Sequence, residues 1–231
     1  MILASESRQR ARQSLAGNWK KSALITLVFL LVSFALGLLE AIPVIGAIAV
    51  LLLSTPLSYG LLTTFIKIKR NEPVTYTSFL KDGLSSFKQI WFVTLQVILK
   101  LLPWILLLIL SIVLISSAMA IALFNMEFSS LLSLLGIVLY IGSLIILFTK
   151  SLYYSLANYV LFDNPELSAK EIVEKSKTLM TGNRARFFCL SLSFIGWIIL
   201  SAFTFGIGYL FLLPYMQVSI THFYEDLIEQ K

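Results

Sequence analysis

The sequence predicts an all-α, polytopic membrane bundle: six transmembrane helices as three helical hairpins, each preceded by an amphipathic helix on the cytoplasmic interface. Three observations carry that prediction. The 231 residues are 58% hydrophobic and 13% charged, with a mean hydropathy of +0.89, whereas soluble domains carry about 25% charged residues. Charge-free windows at 22–39, 41–66, 101–126, 128–149 and 187–224 are long enough for a hydrocarbon core, which takes about 20 apolar residues to cross. The basic residues gather on alternate connections, as orientation in a bilayer requires. Water could not solvate so apolar a surface, which excludes a soluble enzyme. Disorder needs the opposite balance of hydrophobicity and charge.

The first span, about 22–40, follows Arg8, Arg10, Arg12, Lys20 and Lys21. Its uncharged run exceeds the roughly 7–15 residues of a signal-peptide core, so it reads as a retained anchor. The second span is about 44–67. The third and fourth, about 89–122 and 128–161, are longer than a crossing needs. The window 187–224 is too long for one helix and is divided by Thr204-Phe205-Gly206-Ile207-Gly208, a tight-turn signal. That gives a fifth span near 187–203 and a sixth near 208–226.

Orientation follows from charge. Residues 1–21, 67–88 and 163–186 hold five Lys/Arg each, and Lys231 adds one, which makes 16 of the 18. The connections around Glu40, Glu127 and Gly206 hold none. The positive-inside rule therefore predicts a multi-pass protein of the cell membrane with both termini cytoplasmic. The net charge of +6 then faces anionic inner-leaflet lipid, the expected partner, and not nucleic acid. No aromatic interleaving of the single-strand-binding kind occurs.

A polar, helix-forming stretch precedes each pair of spans. The clearest is 168–181, where Ser168 and Glu171 form a capping box and Gly182 is the C′ residue. Ile172, Val173, Ser176, Leu179 and Met180 share one face; Lys170, Glu171, Glu174, Lys175 and Lys177 share the other. The apolar face is expected to dock on the inner ends of spans four and six. A second copy is expected over about 75–88, with Tyr76, Phe79, Leu80, Leu84 and Phe87 at helical spacing, and a weaker first copy over about 4–16. Gly17-Asn18 and Gly182-Asn183 end the outer copies alike. Pro56 and Pro214 are each followed nine residues later by Phe65 and Phe223. One membrane domain, 1–231, built of pseudo-repeats at about 1–68, 69–162 and 163–231, is the expected organisation. Such repeats are common in transport folds, although duplication of a structural hairpin leaves the same trace.

Several motifs together resemble a known family. They are Asp163-Asn164-Pro165-Glu166-Leu167-Ser168-Ala169, Leu179-Met180-x-Gly182-Asn183-Arg184, Leu192-Ser193-Phe194-Ile195-Gly196-Trp197 and Thr204-Phe205-Gly206-Ile207-Gly208. Pro214-Tyr215 and Tyr224-Glu225-Asp226-Leu227 complete the set. The family is the bacterial domain of unknown function nine hundred and seventy-five. The resemblance is dense over 163–227 and looser in the first half, where it rests on the Arg-rich start, Gly17-Asn18-Trp19 and Phe79–Phe87. It implies a six-span integral membrane protein and supplies no activity.

Chemistry-bearing motifs are few. There is no nucleotide loop, HExxH or GxSxG pattern, and one cysteine and one histidine leave little for a metal site. No catalytic residue, metal or cofactor is expected. Cys189 reads as a packing residue, and His222 as part of a polar cap at the end of span six, with proton handling as the sharper alternative. Lys100 and Lys150 need explanation, because a lysine within a span is costly and is by default a functional-site hypothesis. Lys150, Tyr154 and Asn158 share a face of span four, and Gln89, Gln96 and Lys100 share one of span three. Thr55, Tyr59 and Thr63 do so on span two, and Gln217 with Thr221 on span six. These stripes could line a cytoplasm-facing polar cavity for a phosphate, carboxylate or lipid headgroup. Alternatively both lysines mark the bilayer surface, with 88–99 and 151–162 extending as helices into the cytosol and snorkelling closing the mismatch. Lys170, Lys175, Lys177, Arg184 and Arg186 are the expected contacts to inner-leaflet phosphates. Two functions follow: a permease, exporter or lipid-handling protein, or a non-catalytic membrane-organising component acting through basic interfacial helices.

Overall fold

The computed structural model describes residues 4–230; Lys231, counted above with the basic tail, lies outside them. The protein is all-helical, with 83% helix and no strand among the described residues. In chain order the helices are α1 (Ala4–Ser14), α2 (Trp19–Leu38), α3 (Ile45–Lys69), α4 (Ser78–Ser85), α5 (Phe87–Ile121) and α6 (Met126–Tyr154). They continue as α7 (Ala157–Asp163), α8 (Ala169–Met180), α9 (Arg184–Leu192), α10 (Ile195–Phe203) and α11 (Tyr209–Glu229).

Five stretches among the described residues are long and apolar enough to cross a membrane: Trp19–Ala41, Ile45–Lys69, Phe87–Ile121, Met126–Asp163 and Arg184–Phe203. The fourth breaks after Tyr154 and resumes as α7. The fifth bends at Ser193–Phe194, where the Phe194 ring is fully buried and stands edge-on to Tyr215 at 5.5 Å. The expected sixth span, α11, has 21 residues but is not among the five. Its second half carries His222, Glu225, Asp226 and Glu229, and protein packs around the helix: Val218, Thr221, Phe223, Tyr224, Asp226 and Leu227 are buried.

The three pairs of long helices differ in length. At 1.5 Å per residue, the 35 residues of α5 reach about 52 Å and the 20 of α2 about 30 Å. Most of α5 and α6 touch only each other. Burial is concentrated at the opposite, basal end, where α1, α4 and α8 pack against Leu57–Ile68, Leu156–Leu161 and Leu212–Leu227.

One packing relation recurs three times. Helix α4 lies on α3, α8 on α6 and α7, and α1 on α11. Likewise α5 touches α3, α9 touches α6, and α2 touches α11. The last of each set joins the end of the chain to its beginning, so the base closes on itself. The links preceding α2 and α9 have the same backbone: Gly17 and Gly182 sit at φ +82° and +84°, a conformation costly for residues with a Cβ.

Helix α8 has the capping box read from its sequence. Ser168 Oγ accepts from Glu171 N–H, and Glu171 accepts from Ser168 N–H at 2.9 Å. Ile172, Val173, Leu179 and Met180 are all at most 3% exposed. Their main partners are α5, α6 and α7, so span three takes the place expected of span six. Helix α4 is shorter than anticipated. Phe79 is fully buried, Tyr76 and Leu84 are half exposed, and Phe87 begins α5.

Two local features fix neighbouring units. A Cβ on Gly60 would lie 1.8 Å from the Phe79 carbonyl oxygen, and one on Gly83 would lie 2.3 Å from that of Pro56. The α3–α4 contact is therefore backbone against backbone. Pro56 has no N–H to offer the Leu52 carbonyl four residues earlier. The Trp91 indole of α5 donates to that oxygen instead, at 3.2 Å.

Candidate functional site

The chemistry of the molecule is concentrated where α3, α7 and α11 end together at the base. Arg70, just past α3, donates from both Nη atoms to the two Asp163 oxygens at the end of α7, at 2.8 and 3.2 Å. Its Nε donates to Glu225 of α11 at 3.3 Å, and Lys69 donates to the same carboxylate. The guanidinium also lies over the Phe162 ring at 5.4 Å. The hydrogen bonds it donates to Asp163 raise the Arg70 pKa further above its already high value, so the guanidinium stays charged at any physiological pH. A bidentate arginine–carboxylate pair fixes orientation as well as charge.

Within the bundle from this knot, the Tyr159 hydroxyl donates to Gln217 Oε1 at 3.0 Å, and the Tyr159 and Tyr224 rings pack at 5.5 Å. Two further ion pairs brace the base. Lys67 donates to Asp82 at 2.7 Å, an oxygen that Thr63 also reaches at 3.3 Å, linking α3 to α4. Arg186 of α9 donates to Asp226 of α11 at 2.8 Å and covers the Phe223 ring at 5.4 Å. The His222 ring and Ser14 Oγ are 2.9 Å apart, joining α11 to α1.

The residues singled out in the sequence are scattered over this frame. Lys100 and Lys150 are both exposed; Lys150 Nζ lies 6.0 Å from the centre of the Trp104 ring. Tyr154 and Asn158 are half-buried. Gln217 accepts from the Tyr159 hydroxyl. Gln96 does meet Lys170: they line one groove of about 410 Å³ between α5 and the start of α8, together with Gln89 and Ile172. Lys175 donates to Asn164 and Lys177 to Glu174, at 2.8 and 2.9 Å. Arg184 stacks over Tyr153 at 4.3 Å. Arg186, expected among outward lipid contacts, turns inward to Asp226 because a buried carboxylate needs a partner.

Sequence reasoning gave no pairing role to Asp82, Asp163, Glu225 and Asp226, although the last three stand in the motifs quoted above. Their partners lie 15, 93, 155 and 40 residues away. The available clue was the sign of charge at the helix ends: Lys67, Lys69 and Arg70 close one helix, Asp163 another, and Glu225 with Asp226 a third.

The motifs of 163–227 and the all-helical fold converge with a match over residues 1–231 to the family described as protein of unknown function DUF975. The chain belongs to that family. No curated protein and no solved structure matches it. Membership in DUF975 thus covers the whole chain and brings no activity with it. Among the described residues no group of three or more His, Cys, Asp or Glu side chains could hold a metal ion.

Proposed function

We propose that this DUF975 protein is a six-span protein of the cell membrane, with both termini cytoplasmic, that acts as a non-catalytic, lipid-engaging component. In this reading its base rests on the anionic inner leaflet and its centre is a structural seal. Helix α11 serves as the sixth span, its polar half sheltered by protein. The three units behave as pseudo-repeats, each interfacial helix docking on the second span of the unit before it.

The observation that carries the reading is the division of charge. Asp82, Asp163, Glu225 and Asp226 are engaged in pairs that tie helices together. Lys20, Lys81, Lys88, Lys170 and Lys175 stand exposed around the base, where with Arg10, Arg12 and Lys177 they outnumber the exposed Glu72, Glu166, Glu171, Glu174 and Glu229. Each outward cation near an anionic surface is worth about 1 kcal/mol. The exposed Lys100 and the Trp104–Lys150 pair suit the bilayer surface, where such residues collect, better than a buried cavity.

The test is the lipid shell of the protein extracted in native nanodiscs from mixed phosphatidylglycerol and phosphatidylcholine bilayers. Phosphatidylglycerol is expected to be enriched over the bulk, less so at high ionic strength, and the enrichment should fall in the triple variant Lys170→Glu, Lys175→Glu, Lys177→Glu. An unselective shell would overturn the reading. The permease alternative draws on the Tyr159–Gln217 pair inside the bundle, and solute flux in proteoliposomes would favour it. Orientation is checked with single cysteines at Lys81, Glu127 and Glu174 in a Cys189→Ser background. An impermeant thiol reagent applied to intact cells should label only the Glu127 site.

A further inference from the structure

We infer a specific phospholipid site in the groove between α10 and α11, with one acyl chain in the groove and the lipid phosphate on Arg12. This rests on the lipid-engaging reading above and names a site within it. The groove has a volume of about 360 Å³, inside the range of roughly 300–1,000 Å³ typical of small-molecule sites. Its walls are Trp197, Leu200, Phe211 and Leu212, with Trp19 and Arg12 at the basal end. From Gly208 to Tyr215 it follows seven residues of α11, about 10 Å, enough for part of one chain.

The two hydroxyls along the apolar stretch are already engaged. Ser201 Oγ donates to the Trp197 carbonyl at 2.7 Å, and Thr204 Oγ1 donates to that of Ser201 at 2.8 Å. Both hydroxyls are thus turned to their own helix. Apolar walls closed at one end by a cation match a molecule that is apolar along its length and anionic at its head.

Arg12 supplies the head contact. Its Nε donates to the Tyr215 hydroxyl at 3.3 Å, and its guanidinium lies 5.6 Å from the Tyr215 ring centre. The Trp19 ring packs 6.4 Å from the same tyrosine. These contacts aim the side chain while leaving both Nη atoms without a partner among the described residues. Arg12 is exposed, and no carboxylate lines the groove. Two parallel N–H donors match a phosphate, and the Tyr215 hydroxyl, accepting from Nε, keeps its own proton to donate.

The experiment is native mass spectrometry of the full-length protein in detergent, titrated with phosphatidylglycerol or with phosphatidylcholine of the same chains. The parent is expected to retain phosphatidylglycerol. Arg12→Gln should weaken that adduct about tenfold, the loss of one charge-assisted hydrogen-bonding contact, and Arg12→Lys should weaken it less. Leu200→Trp, at a position 54% exposed and so tolerant in folding, should fill the groove and reduce adducts of both lipids. Leu134→Trp, exposed on α6 and outside the groove, should leave them unchanged, whereas the pair Lys175→Gln, Lys177→Gln should remove only the weaker, salt-sensitive surface adducts of phosphatidylglycerol. Parent-level binding in Arg12→Gln or in Leu200→Trp would overturn the site. Loss of adduct only in the Lys175/Lys177 pair would also overturn it, while leaving the broader surface reading intact. A persistent, Arg12-dependent adduct with an unselective lipid shell would do the reverse.

Discussion

The base of the molecule and its longest hairpin are made of the same helical material and are held together in opposite ways. In the base, short helices cross long ones, and buried side chains such as Phe65, Phe79, Ile172 and Tyr224 are at most 1% exposed. Ion pairs there join α3, α4, α7, α9 and α11. In the hairpin, Leu106, Val113, Leu131, Leu134 and Ile145 are each more than half exposed, and serines donate to carbonyls of their own helix. The difference teaches where specificity lies. Lipid tails are as apolar as leucine, so an apolar face between helices gives little drive to associate in a membrane. A unique arrangement comes from close backbone contact and from polar groups with one possible partner. Both are concentrated in the base; the hairpin has fewer, with Ser129 donating to the Ala118 carbonyl at 2.8 Å and Gly136 letting α6 approach the α5 backbone.

Substitutions should separate the two regions sharply, as read by thermal unfolding in detergent. The largest loss is expected for Ile172→Asp, which places an unpaired charge against α5 and α6 and should cost about 3–5 kcal/mol. Stability equal to the parent would mean that α8 is not docked. Next comes Gly60→Ala: its methyl group would meet the Phe79 carbonyl, and overpacking of this kind costs about 1–3 kcal/mol. Ser168→Ala removes the α8 cap at about 1 kcal/mol. The capping box also sets a pH dependence. Hydrogen bonds from Ser168 hold the Glu171 carboxyl below its ordinary range. The folded pKa is depressed, so this contribution is complete above the ordinary carboxylate pKa and is lost as pH falls through and below it. Ser168→Ala should therefore shrink the difference in stability between neutral and acidic pH. The smallest effect belongs to the hairpin: Leu134→Ala, at a position 60% exposed, should change stability by less than about 0.5 kcal/mol.

The same contrast governs how much was legible in the sequence. Helix content, five of the long apolar stretches, the turn at Gly206 and the α8 capping box all follow from local rules, because composition, period and caps act within a few residues. The break after Tyr154 has no glycine or proline to announce it, and the bend at Phe194 arises from a ring inserted against Tyr215. Arg70 was visible as one basic residue among many. That it would pair with Asp163 and Glu225 depends on closure of the chain ends, which no local pattern encodes. The polar stripes carrying Lys100, Lys150, Gln96 and Gln217 were real at helical spacing, but a stripe does not say which neighbour it faces.

The central claim is that α3, α7 and α11 close the middle of the protein instead of lining a path for solute. Thr221, 1% exposed and on the same face of α11 as Gln217 and Tyr224, reports on it most directly. In a Cys189→Ser background, Thr221→Cys should resist a small water-soluble thiol reagent applied from either side of sealed proteoliposomes, and react only after denaturation. Labelling of the folded protein at the rate of an exposed cysteine such as Lys81→Cys would contradict it.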